Sequence, residues 1–429
     1  MDPKNWTRER AEIRYNQSHE KTLGKTPLNR GGGVTWTKEG PLAQSGVIHQ
    51  TNQECQTMDP RTVFCPNPAC PARGQVGKGK IGVHSRKEWR YKCRVCGKTF
   101  AASKGTVFCR LHMAKDTAVM VITLLAYGCP IQAVVAAFGM DERTVVSLQR
   151  RAGQHCQQVH EHLVEQPRDL GQVQADEIRA KTQGGIVWMA MAIQVPTRLW
   201  LGGVLSPCRD ANLIAALLSH IRRCALCRLV LFCVDGCPAY VQAIRGVFRE
   251  PIPTGEPGRP RLRPWDGIHI AQVVKQYARK RVVGVTRHLV QGTQEQIEAL
   301  LQATQGGGHI NTAYIERLNA TLRSRITALI RRGRSLARQA TTVCHAMYRV
   351  GTVYNFCTYH KSLRVSIELP SHRQRWVPRT PAIAAQITDH LWTVEELLSF
   401  RAPLPPWQPP KRRGRPSNAM KLLAAQWSP

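Results

Sequence analysis

The chain has 429 residues, with 61 Lys and Arg against 28 Asp and Glu, a formal net charge of +33. That length points to several folded units rather than one core, and that charge points to a polyanionic partner, nucleic acid before a membrane surface. No run of about 18 apolar residues is present, so no helical membrane span is expected, and the opening MDPKNWTRERAE lacks the apolar segment of a secretory signal. The expectation is a cytoplasmic, nucleoid-associated protein whose 15 cysteines are metal ligands or small buried hydrophobes, not disulfides.

Residues 1–57 are polar and carry Gly31–Gly33 without sustained periodicity, which reads as a disordered leader. The tripeptide MDP occurs at Met1 and again at Met58, so Met58 is an alternative start. Residues 58–108 hold two close cysteine pairs, Cys65-x4-Cys70 and Cys93-x2-Cys96, separated by a strand-forming spacer. Four thiolates on two tight knuckles close a tetrahedron, the layout of a zinc ribbon with one structural Zn2+. His84 and His112 are then surplus to the ligand set.

Residues 109–165 read as helices. KDTAVMVITLLAYG stops at Gly128, PIQAVVAAFG has proline at its start and glycine at its end, and MDERTVVSLQRRAGQHC is the third. The last two resemble a helix-turn-helix that would set Arg143, Thr144, Ser147 and Arg150 toward DNA.

From residue 166 the period changes to that of strands: GQVQADEIRA, IVWMAMAIQV and RLWLGGVLS, then the helix DANLIAALLSHIRRC and the apolar strand RLVLFCVD. That order suits a mixed sheet covered by helices. Cys224, Cys227, Cys233 and Cys237 cluster in sequence, but Cys233 lies in an apolar strand, where a thiol packs as a small hydrophobe. A Pro/Gly/Arg loop at 251–264 leads to the strands IHIAQVVKQY and RVVGVTRHLVQG, the helix TQEQIEALLQATQ and a glycine hinge.

The segment INTAYIERLNATLRSRITALIRRGRSLAR poses a question, because Glu316 is its one carboxylate and the next is Glu368. On a helix at about 100° per residue, Ile315, Leu318, Leu322, Ile326 and Leu329 form an apolar stripe, and Glu316, Asn319 and Arg323 line its border. A border carboxylate among arginines makes sense as a ligand for a hard divalent cation, but such a site needs several carboxylates from different elements. Asp235, at the end of its strand, is one candidate. Asp176 and Glu177 are adjacent, and alternation allows only one of them to join; Val173 and Ala175 leave the strand's phase open.

Asp176, Asp235 and Glu316, with NTAYIERLNATLR around the glutamate, resemble DDE transposases of the insertion-sequence-one family. The ribbon and helix-turn-helix in front match that family's order, and the resemblance covers about residues 61–366. It implies a ribonuclease-H-like α/β catalytic domain at 166–366, with Asp176 on the first strand, Asp235 after the fourth and Glu316 on a late helix. It selects Asp176 over Glu177, matches Arg323 to the basic residue seven after the glutamate, and implies two catalytic Mg2+ ions. Inverted-repeat ends and target DNA would be the substrates, in a homodimer or larger synaptic assembly. Water would free a 3′-OH that then attacks target DNA, with Asn319, Arg323 and the other arginines from Arg317 to Arg349 holding phosphates. The stretch near 251–305 is longer than the family pattern, and the leader and tail are extra. Residues 367–429 read as a proline-rich basic tail in which Arg413 and Arg415 resemble an AT-hook. The competing readings are a non-catalytic DNA-binding regulator, including a decayed transposase, and a metal nuclease that cuts without joining. The isolated 166–366 segment is expected to fold.

Overall fold

The computed structural model describes residues 58–405 and residue 418, save 227–228, 253–258, 280, 331–335 and 369–373. The leader 1–57 and the AT-hook-like Arg413 and Arg415 lie outside the described residues.

The cysteine-bearing region forms a three-stranded antiparallel sheet of β1 (Ile81–Ser85), β2 (Arg90–Cys93) and β3 (Thr99–Ala101). Three helices follow: α1 (Lys115–Ala126), α2 (Ile131–Phe138) and α3 (Glu142–Leu163). Gly139 ends α2 in the left-handed region (φ 61°), and the Asp141 carboxylate accepts from Arg143 N to start α3. The third helix runs on past Cys156 to Leu163, because its second half buries Cys156, Val159 and His160 against the central sheet.

That sheet is built from β4 (Gly171–Thr182), β5 (Gly185–Gln194), β6 (Trp200–Ser206), β7 (Val230–Asp235), β10 (Ile268–Ala278) and β11 (Arg281–Gln291), in the order β11-β10-β7-β4-β5-β6. Helices α4 (Ala211–Cys224) and α5 (Pro238–Val247) flank β7 in the chain, and a short hairpin of β8 (Arg249–Pro251) and β9 (Leu262–Pro264) precedes β10. Strands β4, β5 and β6 are antiparallel neighbours, whereas β7 runs parallel to both β4 and β10. The chain is therefore a mixed α/β protein whose six-stranded sheet is flanked by helices, the coarse architecture expected. Strand β7 is apolar from Val230 to Val234 because both its faces are covered. Phe232 and Val234 join the main core with α4 and α5, while Leu231 and Cys233 meet Ile297 and Leu301 of α6 (Gln294–Gln305).

Two expectations need correction. First, α7 (Ala313–Arg325) ends before the apolar stripe does, and Ile326 and Leu329 reach the core from an extended residue and a 3-10 turn. Second, the chain does not become irregular after Ser366. α8 (Ala340–Cys357) is followed by the hairpin of β12 (His360–Glu368) and β13 (Gln374–Arg379), then α9 (Pro381–Ala384) and α10 (Val394–Ser399). These last helices are too short to show a period in sequence, yet Ala382, Leu397 and Leu398 are fully buried.

The helical region is locked to the sheet. Gly153 of α3 lies so close to His345 of α8 that a Cβ would fall 2.4 Å from its side chain. Gly351 of α8 meets the Trp200 ring of β6, with a Cβ 2.2 Å away. Cutting at residue 166 removes Cys156, Val159 and Val164 from the main core, so the 166–366 segment does not carry its core alone.

His155 and His160 of α3 and His220 of α4 are buried polar groups in this packing. His160 packs on Trp200 at 4.5 Å, and the Nε2 atoms of His160 and His220 both meet the Leu201 carbonyl, at 3.2 and 2.8 Å. Burial holds all three imidazoles below their ordinary value, His160 at about 3. The unfolded chain therefore binds these protons more tightly, and stability falls as pH drops below about 6.5. Acid unfolding followed by circular dichroism is expected to steepen below that pH, His160 alone contributing about 1.4 kcal/mol per pH unit between its unfolded and folded values. His160→Gln is expected to flatten the profile.

Candidate functional site

Parallel pairing of β4 with β7 sets Gly171 opposite Val230 and Gln174 opposite Cys233. The same register carried two residues on sets Asp176, midway along β4, beside Asp235 at the carboxyl end of β7. Gln172 and Gln174 face α6 and α7: the former accepts from Thr304 Oγ1 at 2.8 Å, the latter donates to the Asn311 carbonyl at 2.7 Å. Asp176 shares their face by alternation. Its Oδ2 accepts from Asn319 Nδ2 at 2.7 Å, and its Oδ1 from Glu177 N at 2.9 Å.

Glu177 points to the other face, where Tyr240 OH donates to it at 2.6 Å and Arg209 Nη2 at 2.9 Å. Its oxygens still come within 4.8 Å of those of Asp176 and Asp235, so these three form a group close enough to share a cation. With its side chain fully buried and both oxygens bonded, Glu177 serves best as the internal partner of Arg209, which also lies 3.5 Å from Asp235. Glu316 is not in that group. It lines the same cleft, of about 710 Å3, but its carboxylate is held by Lys275 Nζ of β10 and by Thr312 Oγ1, the latter at 2.8 Å. The cleft thus holds Asp176, Asp235 and Glu316 together with Lys275, Arg209, Asn319 and Arg323.

Asn319, expected on DNA, is instead 1% exposed and committed to Asp176. Of the arginines expected around the carboxylates, Arg323 lines the cleft, Arg317 turns to the opposite flank of α7, and Arg349 is buried with Nη2 on the Leu125 carbonyl. Arg331, Arg332 and Arg334 lie outside the described residues. The sequence reading missed Gln174, Lys275 and Arg209. A signal for Gln174 existed: Gln172, Gln174 and Asp176 are polar at period two, which fixes the phase that Val173 and Ala175 left open.

Burial, then the Glu177 charge, push the Asp176 carboxyl up to about 6, and Asp235 and Glu316 add to the shift. A carboxyl raised in the folded state binds its proton more tightly there, so the metal-free protein loses stability as pH rises from about 4 to 6. Asp176→Asn removes that charge, and Asn319 can turn its amide to offer its unpartnered Oδ1. The thermal midpoint of this variant, measured in EDTA at neutral pH, is expected to rise by roughly 2–4 °C. Stabilisation of the wild type by added Mg2+ is expected to vanish in the variant.

A second cation-sized cluster lies in the small sheet. Cys65 and Cys96 sulfurs are 3.7 Å apart and those of Cys70 and Cys93 3.9 Å, with all four within 4.8 Å of one another. Around one tetrahedral ion with bonds of about 2.3 Å, sulfurs stand about 3.8 Å apart, so the cage fits. Burial raises the Cys65 and Cys70 thiols; Cys96, despite burial, is held at about 6 by the Lys98 amide and the Asn67 side chain. Three of the seven buried residues in this core are cysteines of this cluster, so an ion held there would add directly to the stability of the fold. Cys93→Ser is expected to lower bound metal by one equivalent per chain by elemental analysis, and to abolish the near-ultraviolet signal of buried Tyr91. The far-ultraviolet helix signal is expected to persist.

No family model matches the chain, and no curated protein matches it.

Elsewhere, Arg143, Thr144 and Arg150 of α3 are exposed and Ser147 is half-buried, while Val145 and Leu148 of the same turns face α1. The turn between α2 and α3 is Gly139 to Asp141. Cys224, whose thiol donates to the His220 carbonyl at 3.6 Å, and Cys233, beside Gln172, are both buried, and burial pushes both thiols up to about 12. Among the described residues, no helix is long and apolar enough to cross a membrane.

Proposed function

We propose that the chain is a metal-dependent DNA transposase of the insertion-sequence-one type, which cuts element ends and joins the freed 3′-OH to target DNA. The observation that carries the reading is the side-by-side placement of Asp176, midway along β4, and Asp235, at the carboxyl end of parallel β7, with Glu316 of α7 facing the same cleft. The first and fourth strands of the sheet and a late helix are where the family resemblance requires the three carboxylates, in a ribonuclease-H-like domain. Supporting it are the cysteine cage, which suits Zn2+, and the α2–α3 pair, whose glycine-containing turn suits a helix-turn-helix with Arg143, Thr144, Ser147 and Arg150 outward. The excess of 33 positive charges supplies the attraction to DNA.

Mg2+ held by Asp176 and Asp235 would supply Lewis-acid activation of the attacking oxygen and stabilisation of the leaving 3′ oxygen. Asn319 keeps the Asp176 carboxylate turned into the cleft. Arg209 and Lys275 neutralise Asp235 and Glu316, and Glu316 would be free to hold a cation only if it left Lys275. Arg323 lines the approach, where it would meet a phosphate.

One observation favours a second reading. The pairing of Lys275 with Glu316 and the exclusion of Glu316 from the close group suit a DNA-binding regulator that has lost catalysis. A strand-transfer assay on end-bearing DNA with Mg2+ separates the readings. The transposase gives cleaved and joined products that Asp235→Asn reduces at least about 100-fold. Binding without cleavage by the wild type supports the regulator, and cleavage without joining supports a nuclease.

A further inference from the structure

A second cavity, of about 420 Å3, lies on the flank of α7 away from the carboxylates, lined by Arg198, Tyr314, Arg317, Tyr354 and His360 among others and, among the described residues, by no carboxylate. At about 100° per residue, Tyr314 and Arg317 project from the opposite side of the helix to Asn319 and Arg323. Arg198 comes from the β5–β6 turn with φ 59°, a left-handed conformation uncommon outside glycine, asparagine and aspartate. That turn delivers its guanidinium onto the Tyr314 ring at 3.8 Å, with Nη1 anchored on the Val195 carbonyl. Tyr354 OH donates to the Arg198 carbonyl at 3.1 Å and so braces the same turn.

Arg325 stands behind the cavity, stacked on Tyr127 at 4.5 Å, with a buried Nη1 that has no hydrogen-bond partner. The buried Nε2 of His360 has none either. Burial first, then Arg198, Arg325 and Arg317, hold the His360 imidazole down at about 4, so the ring adds no charge of its own. Partly buried cations normally acquire a counter-ion, and here three guanidinium groups converge on an imidazole with no carboxylate in the lining. Forked N–H donors of fixed geometry match the oxygens of a phosphate, and Tyr314 fixes the plane of one fork.

We propose that this cavity is a phosphate-binding site, filled by a backbone phosphate of DNA or by a free phosphate group. The DNA arm rests on the polyanion reading above; the free-phosphate arm does not.

The test uses the full chain as wild type, Arg317→Ala, Arg198→Gln and the double variant, in two measurements. In the first, binding to a labelled DNA duplex is followed against salt. Each single variant is expected to lower the slope of log affinity against log salt by about 1, and the double variant by no more, because both side chains hold one phosphate. In the second, 31P line broadening of inorganic phosphate is expected with wild type and lost in Arg317→Ala. A changed slope without broadening assigns the site to the DNA backbone, and broadening with an unchanged slope assigns it to a free phosphate; both support it. Slope losses that add in the double variant, or no change in either measurement, overturn it. Should Arg198→Gln fail to fold, the exposed Arg317→Ala decides alone. A wild type that binds no DNA removes the reading of the partner, and the 31P result then stands by itself.

Discussion

The buried Gln174 side chain on β4 sets the position of α7, and most of the cleft follows from it. The first turn of a helix has backbone N–H groups with no partner inside the helix. Thr312 stands at the start of α7 but makes no capping bond, its hydroxyl being given to Glu316. Gln174 Oε1 accepts from both Tyr314 N and Ile315 N at 3.0 Å, and its Nε2 donates to the Asn311 carbonyl. One fully buried amide thus fixes both the height of α7 along β4 and its rotation about its own axis. Loss of that amide would strand buried N–H groups at about 1–3 kcal/mol each. With rotation fixed, Asn319 meets Asp176, Glu316 faces the cleft, and Arg317 is driven to the other flank.

Around that anchor the molecule holds like charges close together. Asp176, Glu177 and Asp235 crowd into one place within a strongly basic chain, and the Asp176 carboxyl is raised accordingly. Each carboxylate is quieted differently: Asp176 by an amide, Glu177 by a phenol and a guanidinium, Glu316 by an ammonium. The arrangement costs stability in the absence of a cation, and a divalent ion would bring more charge than any of these partners. The separation of surfaces is equally marked, with carboxylates on one flank of α7 and three unpaired-by-acid arginines on the other.

Peripheral pieces are joined by residues 397–401. Val107 N donates to the Leu398 carbonyl at 3.2 Å, His155 Nε2 meets the Leu397 carbonyl at 3.0 Å, and Arg401 donates to the Ala102 carbonyl at 2.6 Å. Residues 397–401 therefore tie the cysteine-bearing sheet to α3. Together with the close contacts at Gly153 and Gly351, this makes residues 58–165 part of the same packed body as the central sheet.

The sequence by itself determined what depends on neighbours within a few residues. The paired cysteines, the strand periods of β4 to β7, the proline and glycine ends of α2, and the position of Asp235 at a strand end all follow from local spacing, and each was legible. Of the three carboxylates, Asp176 is selected over its neighbour Glu177 by the family resemblance, although the period-two polarity of Gln172, Gln174 and Asp176 already marks the face they share. Tertiary structure alone decided which side chain each one meets. A helical period says which residues share a face, not which neighbour that face will meet; hence Asn319 went to Asp176 and Arg349 to the core. Short helices such as α9 and α10 carry too few residues for a period, so burial, not pattern, defines them. A hydrogen bond such as that of Gln174 spans 140 residues of chain, and nothing near either end announces it before the two meet.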